Sequence, residues 1–310
     1  MQRPFRFGAQ VADAKPGKAL ADLARKLEDG GYSTLFVPDH FDDQMAPMPA
    51  MTWAAAATTE LRVGSLVFDN DFKHPVVLAK EAATLDLLSD GRLELGIGAG
   101  WMHFDYETSG IPFERAGVRI DRLQEAVKVV KGLMSGQPFS FEGTHYKIDN
   151  LTGTPKPVQQ PHPPILIGAG AKRMLTFAAR EADIISVNFD LSPGAVNADV
   201  VTTGTAELTS QKIDVIRQAA GDRFDDIELS VTVFMGALHD DRAQLAEMVA
   251  GSFGQPPELV LESPHFCAGT TEQIAEQLQE RRERYGFNYV VFGGGSHEAM
   301  LPIVSKLAGT

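Results

Sequence analysis

The feature that most constrains this chain is an end-to-end alternation of short apolar runs with amphipathic segments. Strand-like runs lie at Phe5 to Gln10, Thr34 to Val37, Leu61 to Phe68, Arg92 to Ile97, Ile165 to Ile167, Asp183 to Val187, Ile227 to Met235 and Tyr289 to Phe292. Helical spacing fills the gaps. Lys18 to Asp29 puts Leu20, Leu23, Ala24 and Leu27 on one face and closes on Gly30-Gly31. Glu114 to Met134 does the same with Ile120, Leu123, Val127, Val130 and Leu133. Further helices are expected near Pro49 to Thr58, Val76 to Leu88, Ala171 to Glu181, Thr205 to Ala219, Asp240 to Ala250 and His297 to Leu307. Another spans Thr271 to Tyr285, with Thr270 or Thr271 as its N-cap. Runs this short and this apolar suit strands buried on both faces. Eight strand–helix units in 310 residues predict one α/β domain over 1–310, a closed (β/α)8 barrel. An open doubly wound sheet is the alternative. Phe139 to Ile148 reads as a surface hairpin, and the prolines from Pro155 to Pro164 exclude a helix before the fifth strand. The stretch Gly251 to Cys267 has no readable pattern.

A formal net charge of -13 argues against a general grip on nucleic acid or on an anionic membrane. Cys267 is the single cysteine, so there is no disulfide framework, and packing is its simplest role. No apolar run approaches the roughly 20 residues of a membrane span. Asp13, Lys15, Lys18 and Asp22 interrupt any leader-like stretch, and a cytoplasmic protein is expected.

In such a barrel the chemistry sits at the C-terminal ends of the strands. The second strand runs out through Val37-Pro38 into Asp39-His40-Phe41. An imidazole there suits proton transfer near neutrality, with Asp39 to orient it or to hold a ligand hydroxyl. A loop histidine packed under Phe41 is the plainer reading. The fourth strand ends in Gly96-Ile97-Gly98-Ala99-Gly100-Trp101, and the fifth in Gly168-Ala169-Gly170-Ala171-Lys172-Arg173. The latter enters a helix and could cradle a phosphate with Lys172 and Arg173, or be a tight turn alone. The fourth-strand string lacks the spacing of a dinucleotide fingerprint. No zinc ligand set, nucleophile elbow or P-loop is present, and no metal site is expected. His145, His162, His239 and His297 read as surface residues, and Glu94 as a paired structural carboxylate.

Several strings together resemble the bacterial-luciferase-like flavin and deazaflavin oxidoreductases. They are PDHF at 38–41, RVGSLVF at 62–68, HPVVLAKEAATLDLLSDGRLELGIGAGW at 74–101, RIDRLQEAVKVVKGLMSG at 119–136 and PILIGAG at 164–170. The DHF at the second-strand end is similar to the branch that uses the deazaflavin coenzyme F420; an FMN-dependent luciferase-like monooxygenase and a non-catalytic flavin-binding barrel are the alternatives. The resemblance implies a luciferase-like TIM barrel with insertions, a homodimer, and a cis peptide at Ser65–Leu66 in a bulge after the third strand. It implies that Asp39, Ser65, Leu66, Phe68, Ala99, Gly100, Gly170, Ala171 and Arg173 line the cofactor. It implies that His40 handles the proton beside the ring, with a small organic molecule as substrate. The glucose-6-phosphate dehydrogenases of this branch carry a catalytic Glu where this chain has Trp101. Trp101 therefore points to a flatter, less polar substrate, with Glu107 as a second acid.

Overall fold

The computed structural model describes residues 3–310. Eight parallel strands form a closed barrel: β1 (Arg6–Gln10), β2 (Thr34–Val37), β3 (Arg62–Ser65), β4 (Leu93–Gly98), β5 (Ile165–Ala169), β6 (Ile184–Val187), β7 (Glu228–Val233) and β8 (Phe287–Phe292). β8 returns to β1 through Arg6↔Tyr289 and Phe7↔Val290, so the sheet is closed and not open. Parallel pairing needs crossovers, and helices α1 (Gly17–Asp29), α2 (Pro47–Ala57), α3 (Pro75–Leu88), α4 (Ala116–Met134), α5 (Lys172–Glu181), α6 (Ala206–Ala220) and α7 (Thr271–Tyr285) supply them, while α8 (Leu301–Leu307) follows β8. α1 buries Leu20, Leu23, Ala24 and Leu27 as its spacing requires. Thr270 is the N-cap of α7 and forms a reciprocal capping box with Gln273.

The large core lies between strands and helices, while Phe36, Leu166, Ile184, Tyr289 and Val291 fill the barrel interior. Phe36 fits because its neighbours are glycines: a Cβ on Gly8 or Gly64 would come within 2.9 or 2.6 Å of its ring. The N-terminal end of the barrel is plugged by charge. Glu94, fully buried, accepts from Arg6 at 2.6 Å, Arg62 at 2.8 Å and the Tyr289 hydroxyl at 2.9 Å. Burial alone would raise its carboxyl; the two guanidinium groups overcome this and hold it below the usual range. Arg6 also forks onto Glu228, at 2.9 and 3.0 Å from its Nε, and lies 3.6 Å above the Tyr289 ring.

Four details depart from the sequence expectation. The run expected as one strand from Leu61 to Phe68 is broken: β3 ends at Ser65, and Phe68–Asp69 pairs separately with Ile97 and Gly98. The cis peptide in that break is Leu66–Val67, not Ser65–Leu66. The Leu66 N–H still donates to Val37 O at 3.1 Å, which keeps the Ser65–Leu66 bond within the ladder. The run to Met235 also splits: β7 ends at Val233, and Met235–Leu238 pairs with Phe266–Gly269 outside the barrel. His297, expected at the surface, is 5% exposed. No helix among the described residues is long and apolar enough to cross a membrane.

Glu94→Gln keeps the shape of the plug and removes the charge shared by Arg6 and Arg62. It is expected to cost about 3–5 kcal/mol of stability, as when one member of a buried pair is lost. Chemical denaturation measures this, and an unchanged midpoint would show that the network is dispensable.

Candidate functional site

A cavity of about 440 Å³ opens at the C-terminal end of the barrel. Its walls are the ends of β2, β4, β5, β6 and β7 together with Leu66 and Val67 of the break after β3. Asp39, His40, Leu66, Ala99, Gly100, Trp101, Gly170 and Ala171 line it together. The other expected positions lie apart from the lining. Ser65 is fully buried and donates from its hydroxyl to Gly96 O at 2.7 Å. Phe68 is buried under the Lys73 ammonium. Arg173 turns away to α4, where it donates to Gly117 O at 3.1 Å and pairs with Asp121. Glu107 lies on the outer side of the short helix His103–Ser109, with a 66% exposed side chain paired to His103. It shares one face of this two-turn helix with half-exposed His103 and is absent from the cavity lining.

His40 is the best-defined polar group in the cavity. Pro38 ends β2 by removing a ladder donor, and the chain turns through Asp39 and His40 at the rim. Asp105, 1% exposed, then takes two bonds from this turn. Its Oδ2 lies 2.7 Å from His40 Nδ1, and its Oδ1 accepts the Phe41 N–H at 3.0 Å. A buried carboxylate at that distance makes Nδ1 the protonated nitrogen and leaves the Nε2 lone pair free for chemistry. The edge of His40 meets Trp101 in a T-shaped contact, centroids 5.8 Å apart. Phe41 packs instead on Phe72, at 4.4 Å, so His40 is not a residue buried under Phe41.

Beside this dyad lies a pair of strained carboxyls. Asp39 accepts the Asp69 N–H at 3.2 Å, and burial pushes its carboxyl up to about 6. Asp69 accepts the Tyr106 hydroxyl at 2.8 Å and the Asp71 N–H at 2.9 Å. Burial first, then the charges of Asp71 and Asp39, push it up to about 7. Arg119 is the cation in the lining, and its Nε and Nη2 face the carbonyls of Ala99 at 3.1 Å and Gly100 at 3.3 Å. Gly100 has φ +72°, and a Cβ there would overlap Tyr106 and Asp69. Gly170 packs on the Phe189 carbonyl with no room for a Cβ. Both glycines therefore serve protein packing as well as the cavity wall. Gly168 differs, because a Cβ there would meet only Val67, at 3.8 Å, and its side chain would enter the cavity.

Asp105, Asp69, Arg119, Phe189 and Phe234 are lining or positioning residues that the sequence reading did not single out. An acid directly after the third strand was a usable signal for Asp69. Asp105 had none, because its partner is 65 residues away.

The whole chain can now be compared with known proteins. Residues 3–286 match the luciferase-like monooxygenase family, and the chain belongs to that family. It is 34% identical over 191 residues to the F420-dependent glucose-6-phosphate dehydrogenase of Kineococcus radiotolerans, covering 58% of this chain and 56% of that one. It therefore spans little more than half of that relative's length. It is 27% identical over 287 residues to the 5,10-methylenetetrahydromethanopterin reductase of Methanopyrus kandleri, covering 88% and 78%. It is 28% identical over 273 residues to the FMNH(2)-dependent dimethylsulfone monooxygenase of Pseudomonas putida, covering 81% and 71%. The solved coenzyme F420-dependent tetrahydromethanopterin reductase of Methanopyrus kandleri superposes with a TM-score of 0.79 over 98% of both chains, at 20% identity. The relatives are thus oxidoreductases and monooxygenases that use a deazaflavin or a flavin.

The raised Asp69 carboxyl gives a signed prediction. A carboxyl whose folded value lies above its unfolded value stabilises the fold at low pH, and this is lost as the pH rises to about 7. Asp69→Asn cannot ionise, so its stability relative to the parent should grow by on the order of 2–4 kcal/mol between pH 4 and pH 8. Melting curves across that range test it, and a pH-independent difference would remove the assignment.

Proposed function

We propose that this chain is a coenzyme F420-dependent oxidoreductase that moves a hydride between the deazaflavin and a small organic molecule. The observation that carries the reading is the His40–Asp105 pair, one imidazole with a committed Nδ1 and a free Nε2 at a cavity wall. When bound, the coenzyme supplies the carbon that accepts or gives the hydride. His40 Nε2 takes or returns the accompanying proton, and buried Asp105 holds the ring in one tautomer and stabilises its charged form. The floor at Gly168 favours a flat ring, because it lacks the side chain that would fill that space. The start of α5 supports an anionic group at the rim, where Ala171 and Gly170 line the opening. Lys172 there makes no ion pair among the described residues. Arg173 lies outside the lining, with its side chain tied to Asp121.

The F420-dependent glucose-6-phosphate dehydrogenase of K. radiotolerans, 34% identical over 58% of this chain, supports the deazaflavin. The P. putida monooxygenase, similar over 81%, supports FMN as the second reading. A single-domain homodimer in the cytoplasm goes with the same proposal.

Titrating the purified chain with coenzyme F420 and with FMN, following ring fluorescence, discriminates the two. Tighter binding of FMN, with oxygen consumed in its reduced form, would replace the first reading by the second. His40→Ala should keep coenzyme affinity within about tenfold and lower turnover by roughly 10²–10⁴. Full turnover across the pH range would make His40 a packing residue.

Gly168 of β5 and Gly170 just after it should separate packing from binding. Gly168→Leu is expected to fold and to lose coenzyme binding. Gly170→Ala is expected to lose folded protein itself, because its Cβ meets a backbone carbonyl that cannot move aside. Circular dichroism with the same fluorescence titration reads both. Unimpaired binding by Gly168→Leu would place the ring elsewhere.

A further inference from the structure

We propose that the part of the cavity under the β6 and β7 loops takes a neutral, largely apolar substrate with a single oxygen function, such as a ketone or an alcohol, and rejects phosphorylated or carboxylated molecules. This rests on the oxidoreductase reading above and names the substrate class for that site. Leu191, Val201, Phe189, Phe234, Met235 and Phe266 line this part of the cavity. Phe189 stacks on Phe234 with centroids 5.4 Å apart and planes 18° off parallel. Phe189, Val201 and Phe266 also belong to an apolar cluster distinct from the main core, which extends into the outer helix Arg242–Phe253 through Ala246, Val249 and Ala250. The wall is therefore backed by packed hydrocarbon and not by water.

The charges around this wall are the second observation. Asp190 is the ionisable group that the β6 loop contributes to the lining, and it is bonded to the Ser192 N–H at 3.0 Å. Arg119 spends all three of its nitrogens on carbonyls: Ala99, Gly100 and Glu114. Lys212 lies behind the wall and not in it, with Nζ on Asn188 O at 2.6 Å and Thr203 O at 2.8 Å. Burial pushes that amine down to about 8. His265, 1% exposed and 4.2 Å from the Phe189 ring, donates from Nδ1 to Thr232 O at 2.9 Å, and burial pushes it down to about 3, which keeps it neutral. An anionic substrate would thus be desolvated beside Asp190 with no uncommitted cation in the described lining to receive it. A neutral molecule meets apolar surface on the wall, and His40 Nε2, Asn188, Ser192 and Thr232 are uncharged polar groups of the same lining that its oxygen can use.

Saturation-transfer NMR on the full chain, with coenzyme F420 present and absent, tests this with cyclohexanone and glucose 6-phosphate as probes. Cyclohexanone is expected to give a saturable response in both conditions. Glucose 6-phosphate should give none once the coenzyme is present. Met235→Lys, which puts a cation on a partly exposed lining position, should weaken cyclohexanone at least tenfold and allow glucose 6-phosphate to bind. That gain of binding cannot come from misfolding. A glucose 6-phosphate response that persists with the coenzyme, or no cyclohexanone response up to its solubility limit, overturns the proposal. Failure of the coenzyme titration with a cyclohexanone response intact would instead overturn the cofactor reading.

Discussion

The barrel depends on one buried carboxylate. Glu94 sits where β1, β2, β3, β4, β7 and β8 converge, and its oxygens are claimed by Arg6, Arg62, Tyr289 and, more weakly, Thr34. Arg6 reaches onward to Glu228, so one guanidinium ties β1 to both β4 and β7 across the barrel. Parallel strands have no hairpins to fix their register, and a cross-barrel network supplies a reference point that only one closure satisfies. Above it the interior narrows to Phe36 and its flanking glycines, and only beyond that layer does space open. The charged floor and the cavity are thus opposite ends of one object, one closed by paired charge and the other left for ligands.

The two ends also differ in how their acids are treated. Glu94 is held below its usual range because two cations face it. Asp39 and Asp69 are pushed above theirs, because burial is met mostly by N–H groups and a hydroxyl. Such carboxyls cost stability at neutral pH, and they cluster at the cavity next to His40. Local rules of folding are broken there and kept at the floor, the distribution expected when a stable scaffold carries a functional rim.

Much of this was legible in the chain. Period and caps located every barrel strand and helix to within a few residues, because each must bury a face whose spacing is written locally. The breaks in the third and seventh strands were not legible, since an apolar run such as Leu61 to Phe68 reads the same whether or not pairing lapses at Leu66-Val67. Asp39, His40, Ala99, Gly100 and Gly170 reach the cavity because the barrel sends strand ends to one rim, whereas Ser65 and Phe68, expected there as well, lie behind it. Arg173 and Glu107 point away from the cavity, because a helix carries side chains outward as readily as inward. The partners Asp105 and Asp69 act across the fold, and no local pattern encodes a contact between Asp105 and His40.

The dyad also depends on the cavity roof. The short helix that carries Asp105 begins at His103, whose N–H donates to Gly194 O at 3.0 Å. Gly194 has φ +81° and approaches the Trp101 carbonyl closely enough that a Cβ would lie 3.3 Å from it. The β6 loop, which carries Leu191 and Val201 into the lining, is therefore bonded to the segment that orients His40. One backbone hydrogen bond thus joins that loop to the short helix whose Asp105 carboxylate holds the imidazole. Roof, wall and His40 are tied together by contacts that cross the fold. Their geometry is set from three strand ends, so the position of His40 is a property of the closed barrel and not of the loop that bears it.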